Sequence, residues 1–170
     1  MTFMPRTLYL LRHAQSAEKQ IGQTDKEREL TPVGVKDIIL IGNYIQKNNL
    51  PVDIIISSTA ERAKTTSRYL ADTLRFDLDK IIEDEELYEA STRTFLELIG
   101  KLGDEYQNVL CVGHNPVISY LAEYLTKAEI GDMYTAGLVI IKFKLNSWAD
   151  VTQGNGELEN YIYPEMLYFN

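Results

Sequence analysis

Three runs of apolar residues mark the chain as an alternation of strands and helices. They occupy residues 7–11, 52–56, where Asp53 is the one charged residue, and 109–112, and polar or turn-forming residues bound each of them. Continuous apolar runs of this length are typical of strands that are buried on both faces. Further patterns predict strands at residues 80–83, 138–145 and around 158–163, with a turn at residues 154–156 before the last strand.

Helical periodicity fills the segments between these strands. Thr31 and Pro32 have the residue types preferred at the N-cap and first position of a helix, and Ser58 and Glu61 have the spacing of a capping box. Asn115 is the expected N-cap of a later helix that starts at Pro116. The residues expected to face the core recur at helical spacing in four segments: Ile38, Ile41 and Ile45; Ala63, Thr66, Leu70 and Leu74; Phe95, Leu98, Ile99 and Leu102, with Gly103 as the helix end; and Ile118, Leu121, Ala122 and Leu125.

The order of these elements predicts the fold class. Strands that alternate with helices favour right-handed crossovers and a mainly parallel sheet. We therefore expect an α/β fold with three layers, in which helices cover both faces of the sheet and a final hairpin adds an antiparallel edge. A chain of 170 residues can bury a full core, so we expect a single domain over residues 1–170.

Charge and composition narrow the functional classes. The net charge of −8 disfavours a nucleic-acid-binding surface but is compatible with a local basic pocket. No stretch approaches the roughly 20 apolar residues of a membrane span, and the N-terminus lacks the pattern of a signal peptide, so we expect a cytoplasmic protein that binds no membrane. Cys111 is the only cysteine and is expected to be a small buried side chain within a strand.

The two histidines of the chain have nearly the same local setting. His13 and His114 directly follow predicted parallel strands, so both should reach the carboxyl edge of the sheet, where ligands bind in such folds. Arg12 precedes the first histidine, and Arg62 is expected in a first helical turn. Guanidinium groups and helix N-termini bind phosphate, and a neutral imidazole can attack phosphorus. We therefore assign His13 as the nucleophile and Arg12, Arg62 and His114 as phosphate ligands.

Several short motifs resemble those of a known family. They are Leu11-Arg12-His13-Ala14, Leu30-Thr31-Pro32-Val33-Gly34, Ser57-Ser58-Thr59-Ala60-Glu61-Arg62-Ala63, Leu87-Tyr88-Glu89-Ala90, Val112-Gly113-His114-Asn115-Pro116 and Thr135-Ala136-Gly137-Leu138. They follow the order found in the histidine phosphatase superfamily, which is related to the phosphoglycerate mutases, and the whole chain is similar to its SixA-type phosphohistidine phosphatases.

This resemblance implies a phosphoglycerate mutase-like fold and a function. The implied catalytic core is Arg12, His13, Arg62 and His114, with a covalent phosphohistidine intermediate on His13. The implied substrate is phosphohistidine on another protein, such as a phosphohistidine carrier or a phosphotransfer domain. We expect the reaction to need no cofactor and no metal. The oligomeric state stays open.

Three further residues are candidates for the site. Mutases and many phosphomonoesterases of the superfamily place an acidic glutamate after the third strand, and Glu89 is the nearest counterpart, with Glu86 as an alternative. SixA-type members lack a clear acid there, and imidazole, with a pKa of roughly 6.5, leaves phosphorus with less assistance than an alkoxide does. A solvated position explains Glu89 equally well. Ser16 and Lys19, in the polar loop after His13, are candidates for phosphate contacts or for simple solvation.

Two other functions stay open from the sequence. A small-molecule phosphomonoesterase or a phosphoglycerate mutase-like enzyme would use the same core. Few residues separate the early strands from their helices, which leaves little chain for a lid and favours a phosphorylated protein as the partner. A non-catalytic phosphate-binding module would keep the fold. The sequence patterns of zinc sites, cysteine phosphatases and P-loops do not occur.

Overall fold

A six-stranded sheet organises residues 4–169, the part of the chain that the computed structural model describes. The strands are β1 (Pro5–Arg12), β2 (Ile54–Ser58), β3 (Ile81–Asp84), β4 (Asn108–Gly113), β5 (Leu138–Lys144) and β6 (Glu157–Ile162). Their order in the sheet is β3-β2-β4-β1-β5-β6. The first four in this order are parallel, β5 is antiparallel to β1, and β6 is antiparallel to β5. The predicted α/β fold with a mainly parallel sheet and an antiparallel edge hairpin is confirmed.

Helices cover both faces of this sheet. One layer contains α1 (Pro32–Lys47), α2 (Glu61–Leu74) and α5 (Pro164–Tyr168), and the other contains α3 (Thr92–Gly100) and α4 (Val117–Thr126). In β1, Leu8 and Leu10 join the core beneath α3 and α4, whereas Tyr9 and Leu11 join the core beneath α1 and α2. All four side chains are fully buried. None of the helices within residues 4–169 has the length and apolar character needed to cross a membrane.

The second strand and its helix lie later in the chain than the sequence pattern indicates. β2 extends through Ser57 and Ser58, which pair with Glu83 and Asp84 of β3. The strand therefore begins and ends two residues later than the predicted strand at residues 52–56. Ser58 is therefore not the N-cap of α2. That helix begins at Glu61 after an N-cap residue, Ala60, that has no side-chain oxygen. Sheet pairing has displaced the local capping preference.

Two other predicted helix ends are also wrong. α4 begins at Val117 with Pro116 as its N-cap, because the side chain of Asn115 binds elsewhere, as described below. α3 ends at Gly100 and not at Gly103. In contrast, Thr31 is the N-cap of α1, as predicted, and its hydroxyl accepts a hydrogen bond from the backbone N–H of Gly34.

A close approach between α1 and the loop after β1 positions the site. The backbone N–H of Thr31 donates to the carbonyl of Gln15, and a Cβ added at Gly34 would lie 2.2 Å from the same carbonyl oxygen. Only glycine leaves room for this contact. Gly34 therefore determines how closely the segment that begins at His13 can lie against the first turn of α1.

Candidate active site

The ends of two adjacent parallel strands bring the two histidines together. β1 ends at Arg12 and β4 ends at Gly113, and these two residues are paired in the sheet. His13 and His114 therefore leave neighbouring strands at the same edge, and their ring centroids are 5.1 Å apart. β2 pairs with β4 on its other side, so the first turn of α2, which contains Arg62, reaches the same edge.

The ring of His13 is held in one orientation by a single backbone contact. Its Nδ1 lies 2.8 Å from the carbonyl oxygen of Ala14. Because a carbonyl can only accept, Nδ1 carries the proton in the neutral ring and Nε2 carries the lone pair. Desolvation, followed by the neighbouring His114 and the positive charges of Arg62 and Arg12, lowers the pKa of His13 to about 3. The imidazole is therefore neutral at neutral pH.

The backbone around His13 is tied to β4, to α2 and to the loop before β5. Its N–H donates to the carbonyl of Gly113 at 3.1 Å, and its carbonyl accepts from the N–H of Ala136 at 3.1 Å. The next N–H, that of Ala14, donates to Thr66 Oγ1, whose hydroxyl donates to the carbonyl of Arg62. These bonds connect β1 to β4 and α2. They fix the ring that leaves the end of the strand.

His114 is held by a serine and flanked by a tyrosine. Its Nε2 lies 2.7 Å from Ser58 Oγ, and the ring of Tyr88 meets the imidazole edge-on with centroids 5.8 Å apart. Its Nδ1 is buried and has no hydrogen-bond partner among residues 4–169. Desolvation, together with the charges of Arg62 and Arg12, lowers the pKa of His114 to about 4. Both imidazoles are therefore neutral at pH 7.

The guanidinium of Arg12 is oriented by the segment before β5. Its Nη1 donates to the carbonyl of Met133 at 2.7 Å, and that carbonyl also accepts from Asn115 Nδ2 at 3.2 Å. Asn115 Oδ1 in turn accepts from Ser119 Oγ, which accepts from the Met133 N–H. Asn115 thus connects α4 to this segment, which explains why it does not cap the helix. Burial lowers the pKa of Arg12.

Arg62 is almost fully buried and is paired with an aspartate from the loop after β1. Its Nη1 donates to the backbone carbonyl of Asp25 at 2.8 Å, and its Nη2 donates to Asp25 Oδ2 at 3.1 Å. The side chain of Arg62 is 8 % exposed and that of Asp25 is 49 % exposed. The aspartate therefore approaches the guanidinium from the solvent side.

Asp25 accepts hydrogen bonds from two further residues. The hydroxyl of Tyr88 donates to Oδ2 at 2.7 Å, and Arg28 Nη1 donates to Oδ1 at 3.1 Å. The hydrogen bond from Tyr88, followed by those from Arg28 and Arg62, holds the pKa of Asp25 well below its usual range. This carboxylate is ionised at neutral pH and cannot act as a proton donor there.

The structure brings some of the candidate residues together and leaves others at the surface. His13 and His114 lie with their ring centroids 5.1 Å apart, and Arg12 and Arg62 are close enough for their charges to lower the pKa of both imidazoles. Ser16 is partly buried, and its hydroxyl accepts from Arg28 Nη2 at 2.9 Å.

The other two candidate residues lie further into solvent. Lys19 and Glu89 are exposed, and neither makes a hydrogen bond or an ion pair with another residue in the range 4–169. Glu86 is also exposed, and its backbone N–H donates to Asp84 Oδ1. The phosphate-binding role of Lys19 and the acid role of Glu89 stay predictions.

The sequence does not reveal the parts that Ser58, Asp25 and Tyr88 take in the site. Ser58 has the spacing of a helix cap, and Tyr88 stands in a motif without a role of its own. Asp25 lies in a short 3₁₀ helix, Asp25–Glu27, within a polar loop rich in acidic residues, and no local pattern distinguishes it from its neighbours. Its contacts join positions 37 and 63 residues apart, so they follow only from the tertiary fold.

No group of three or more histidine, cysteine or acidic side chains within residues 4–169 is arranged to hold a metal ion. Cys111 is fully buried in β4, and desolvation raises the pKa of its thiol to about 12. A thiolate is the form of cysteine that attacks phosphorus, so this buried thiol is unsuited to be a nucleophile. The groups that the strand ends and α2 bring together here are two imidazoles and two guanidinium groups.

Comparison with known proteins identifies the family. A family model described as the histidine phosphatase superfamily (branch 1) matches residues 8–98. The chain belongs to this superfamily. An uncharacterised protein of Mycobacterium tuberculosis is 34% identical over 164 residues, which cover 91% of this chain and 99% of that protein.

Solved structures extend the comparison to nearly the whole chain. A crystal structure from Agrobacterium tumefaciens, of a protein proposed to be the phosphohistidine phosphatase SixA, has a TM-score of 0.81 and 27% identity, covering 95% of this chain and 99% of that one. A mycobacterial glucosyl-3-phosphoglycerate phosphatase shares the fold with a TM-score of 0.68 and 16% identity, covering 95% and 99%. The predicted resemblance to the superfamily and its SixA-type members is confirmed. These matches support a phosphatase enzyme.

Proposed function

We propose that the protein hydrolyses phosphohistidine on another protein, through a covalent intermediate in which His13 is phosphorylated. The observation that carries this proposal is the hydrogen bond between His13 Nδ1 and the carbonyl of Ala14. It leaves the lone pair of Nε2 free in a ring that is neutral at physiological pH. A neutral imidazole with a free lone pair is a nucleophile towards phosphorus.

Two displacement steps complete the reaction. In the first, Nε2 of His13 forms a bond to phosphorus while the bond between phosphorus and the substrate imidazole breaks, and the electron pair of that bond stays on the leaving nitrogen. The substrate ring is protonated on its other nitrogen and therefore leaves as neutral imidazole. In the second, water attacks the same phosphorus and the bond to Nε2 breaks, which releases inorganic phosphate and restores the neutral ring. Both steps need the attacking and leaving groups in line with the phosphorus.

The two guanidinium groups and the second histidine supply the charge and the hydrogen bonds that this transfer needs. Arg12 and Arg62 neutralise the phosphoryl oxygens, and a cluster of fixed donors in a largely desolvated site stabilises developing charge more strongly than water does. His114, held by Ser58, binds an equatorial oxygen through a ring N–H. The two guanidinium groups supply local positive charge in a protein of net charge −8.

The carboxylates near the site support a substrate with a good leaving group. Asp25 is ionised and already accepts hydrogen bonds from arginines and a tyrosine, and Glu89 is exposed and unpaired within the described residues. A phosphate monoester releases an alkoxide, which needs a proton donor, whereas the imidazole of phosphohistidine has a pKa of roughly 6.5 and needs less assistance. The site therefore suits a phosphoramidate better than a monoester.

Short connections at the site edge support a protein as the substrate. Thr59 and Ala60 alone separate β2 from α2, and residues 114–116 separate β4 from α4. Longer connections border the site on its other sides: β1 to α1 supplies Asp25, β3 to α3 supplies Tyr88, and α4 to β5 supplies Met133. An edge where two of the strands turn into their helices within three residues leaves access for a phosphorylated side chain that projects from another protein.

Trapping of the phosphoenzyme tests the mechanism. Quenching a reaction with a phosphohistidine-bearing carrier protein should capture an acid-labile phosphoryl group on the wild-type enzyme and on Glu89→Gln, and none on His13→Ala. Label on another residue, or label that survives acid, would contradict the assignment. Loss of the trapped group in Glu89→Gln would instead assign Glu89 a part in the first step.

A substrate panel tests specificity. The phosphohistidine protein should be hydrolysed with a higher kcat/KM than a set of phosphate monoesters that includes 3-phosphoglycerate. A preference for a monoester would favour the hypothesis that the protein is a small-molecule phosphatase or a phosphoglycerate mutase-like enzyme. Absence of any hydrolysis, p-nitrophenyl phosphate included, would favour a non-catalytic phosphate-binding module.

A further inference from the structure

A single residue holds the outer end of the Arg62 guanidinium. Asp25 accepts from Nη1 through its backbone carbonyl, at 2.8 Å, and from Nη2 through Oδ2, at 3.1 Å. We propose that Asp25 is a positioning residue for phosphoryl transfer, which orients Arg62 so that the remaining N–H groups of the guanidinium bind the phosphate. This inference rests on the proposed function and adds to it a residue that the motifs of the family did not indicate.

The hydrogen-bonding capacity of arginine makes this role chemically consistent. A guanidinium has five N–H groups in one plane, and Asp25 uses one on each terminal nitrogen. About three N–H groups are left, enough for a two-pronged contact with phosphate oxygens. Because the guanidinium is planar, fixing two of its donors also fixes the directions of the others. Asp25 thus determines where Arg62 can place a bound phosphate.

Asp25 is itself held in place from several directions. Tyr88 donates to Oδ2 and Arg28 donates to Oδ1, and Arg28 also donates from Nε to the carbonyl of Ala17 at 2.9 Å. The neighbouring Lys26 forms an ion pair with Glu85 at 2.6 Å. The loop that contains Asp25 is therefore attached both to its own start and to the segment after β3, so the acceptor atoms are pre-oriented.

A direct catalytic role would require Asp25 to exchange a proton, and its surroundings oppose this. Its two side-chain oxygens accept from Arg28, Arg62 and Tyr88, all of which favour the ionised form. The carboxylate therefore acts through Arg62 and not on the substrate.

Comparison of Asp25→Ala with Asp25→Asn separates geometry from charge. Both variants remove the negative charge, but asparagine keeps an oxygen that can accept from Nη2. We expect Asp25→Ala to bind orthophosphate about tenfold more weakly than Asp25→Asn in calorimetry, with a matching rise in KM for p-nitrophenyl phosphate, because a hydrogen bond to a charged group has been lost. Equal affinity of the two variants, or tighter binding by Asp25→Ala, would overturn the proposal.

Asp37 offers a matched control. It is 8 % exposed and also accepts from a tyrosine, Tyr168, at 2.5 Å, but it lies on α1 and forms no hydrogen bond or ion pair with Arg12 or Arg62. Asp37→Ala and Asp37→Asn should bind orthophosphate equally. Thermal melts show whether each variant is folded. If Asp25→Ala is not folded, Asp25→Ser replaces it, because the shorter serine side chain cannot reach Nη2. Asp25→Ser should then also bind orthophosphate about tenfold more weakly than Asp25→Asn.

The failure of this inference can be told apart from a failure of the proposed function. If the wild-type enzyme forms no phosphoenzyme, or if His13→Ala still forms one, the proposed mechanism is wrong whatever the Asp25 variants do. If the phosphoenzyme forms on His13 while Asp25→Ala and Asp25→Asn bind orthophosphate equally, the positioning role alone is wrong.

Discussion

Acidification from pH 7.5 to 5.5 is expected to destabilise the fold through its two histidines. Burial and nearby arginines lower the pKa of His13 to about 3 and that of His114 to about 4 in the folded chain. In the unfolded chain each should titrate near 6.5. The unfolded chain therefore binds protons that the folded chain does not. The stability from the neutral rings is complete above about pH 6.5 and is lost as the pH falls towards the folded pKa values.

The size of the loss follows from these shifts. At pH 5.5, about one unit below the ordinary value, the buried ring of His13 removes about 1.4 kcal/mol from the free energy of unfolding. His114 is more exposed to solvent and removes about 1 kcal/mol. The sum is about 2 kcal/mol. No other histidine contributes, and Asp25 loses its stabilising charge only at lower pH, because its pKa is lowered from an already acidic value.

Urea unfolding at pH 7.5, 6.5 and 5.5 measures this loss. Wild type should lose about 2 kcal/mol over the range, His13→Asn less than half as much, and the double variant with His114→Asn almost none. Each variant is compared only with itself across pH, so its basal destabilisation cancels. Wild-type stability that does not change with pH would refute the reasoning, as would an equal loss in the double variant.

Three further expectations concern the serine beside His114, one glycine and metal ions. Ser58→Ala should lower kcat/KM for p-nitrophenyl phosphate about tenfold, because it removes the contact to His114 Nε2. Ser57→Ala is the control and should leave kcat/KM unchanged, because the Ser57 hydroxyl donates to the carbonyl of Ser58. Equal activity of the two variants would contradict the role of Ser58. Gly34→Ala should lower the free energy of unfolding by more than about 2 kcal/mol, because its Cβ would overlap the carbonyl of Gln15. Gly100→Ala should not lower it, because no atom lies within 4 Å of the added Cβ. Urea unfolding measures both values. Dialysis against EDTA should leave hydrolysis unchanged, since the proposed nucleophile and charge neutralisation come from side chains; activity restored by a divalent metal would show otherwise.

The strands were the part of the fold most easily predicted. The runs at residues 7–11 and 109–112 lie within β1 and β4, because strands buried on both faces need unbroken apolar sequence. The ends of elements were predicted less well. Ser58 and Asn115 have side chains that suit helix caps, but one belongs to a sheet ladder and the other bonds to a segment near residue 133. Local preference is worth about 1 kcal/mol and yields to such tertiary contacts.

The core of the site was predictable because it depends on strand ends. His13 and His114 directly follow buried strands, so the parallel sheet alone carries them to one edge, and the pairing of Arg12 with Gly113 makes them neighbours. Glu89 was harder to interpret, because an acidic run after a strand has the same sequence whether one member turns into the site or all face solvent. In the structure Glu89 is exposed.

By itself, the sequence determined the strands, the layers and the four residues expected to meet at the sheet edge, because burial and helical or strand periodicity leave a local record in the chain. Only the tertiary structure decided which atoms hold those residues. The carbonyl of Ala14 selects the tautomer of His13, Ser58 holds His114, and Asp25 holds Arg62. The last two contacts join residues 56 and 37 positions apart, and hydrogen bonds over such separations leave no periodic pattern in the sequence.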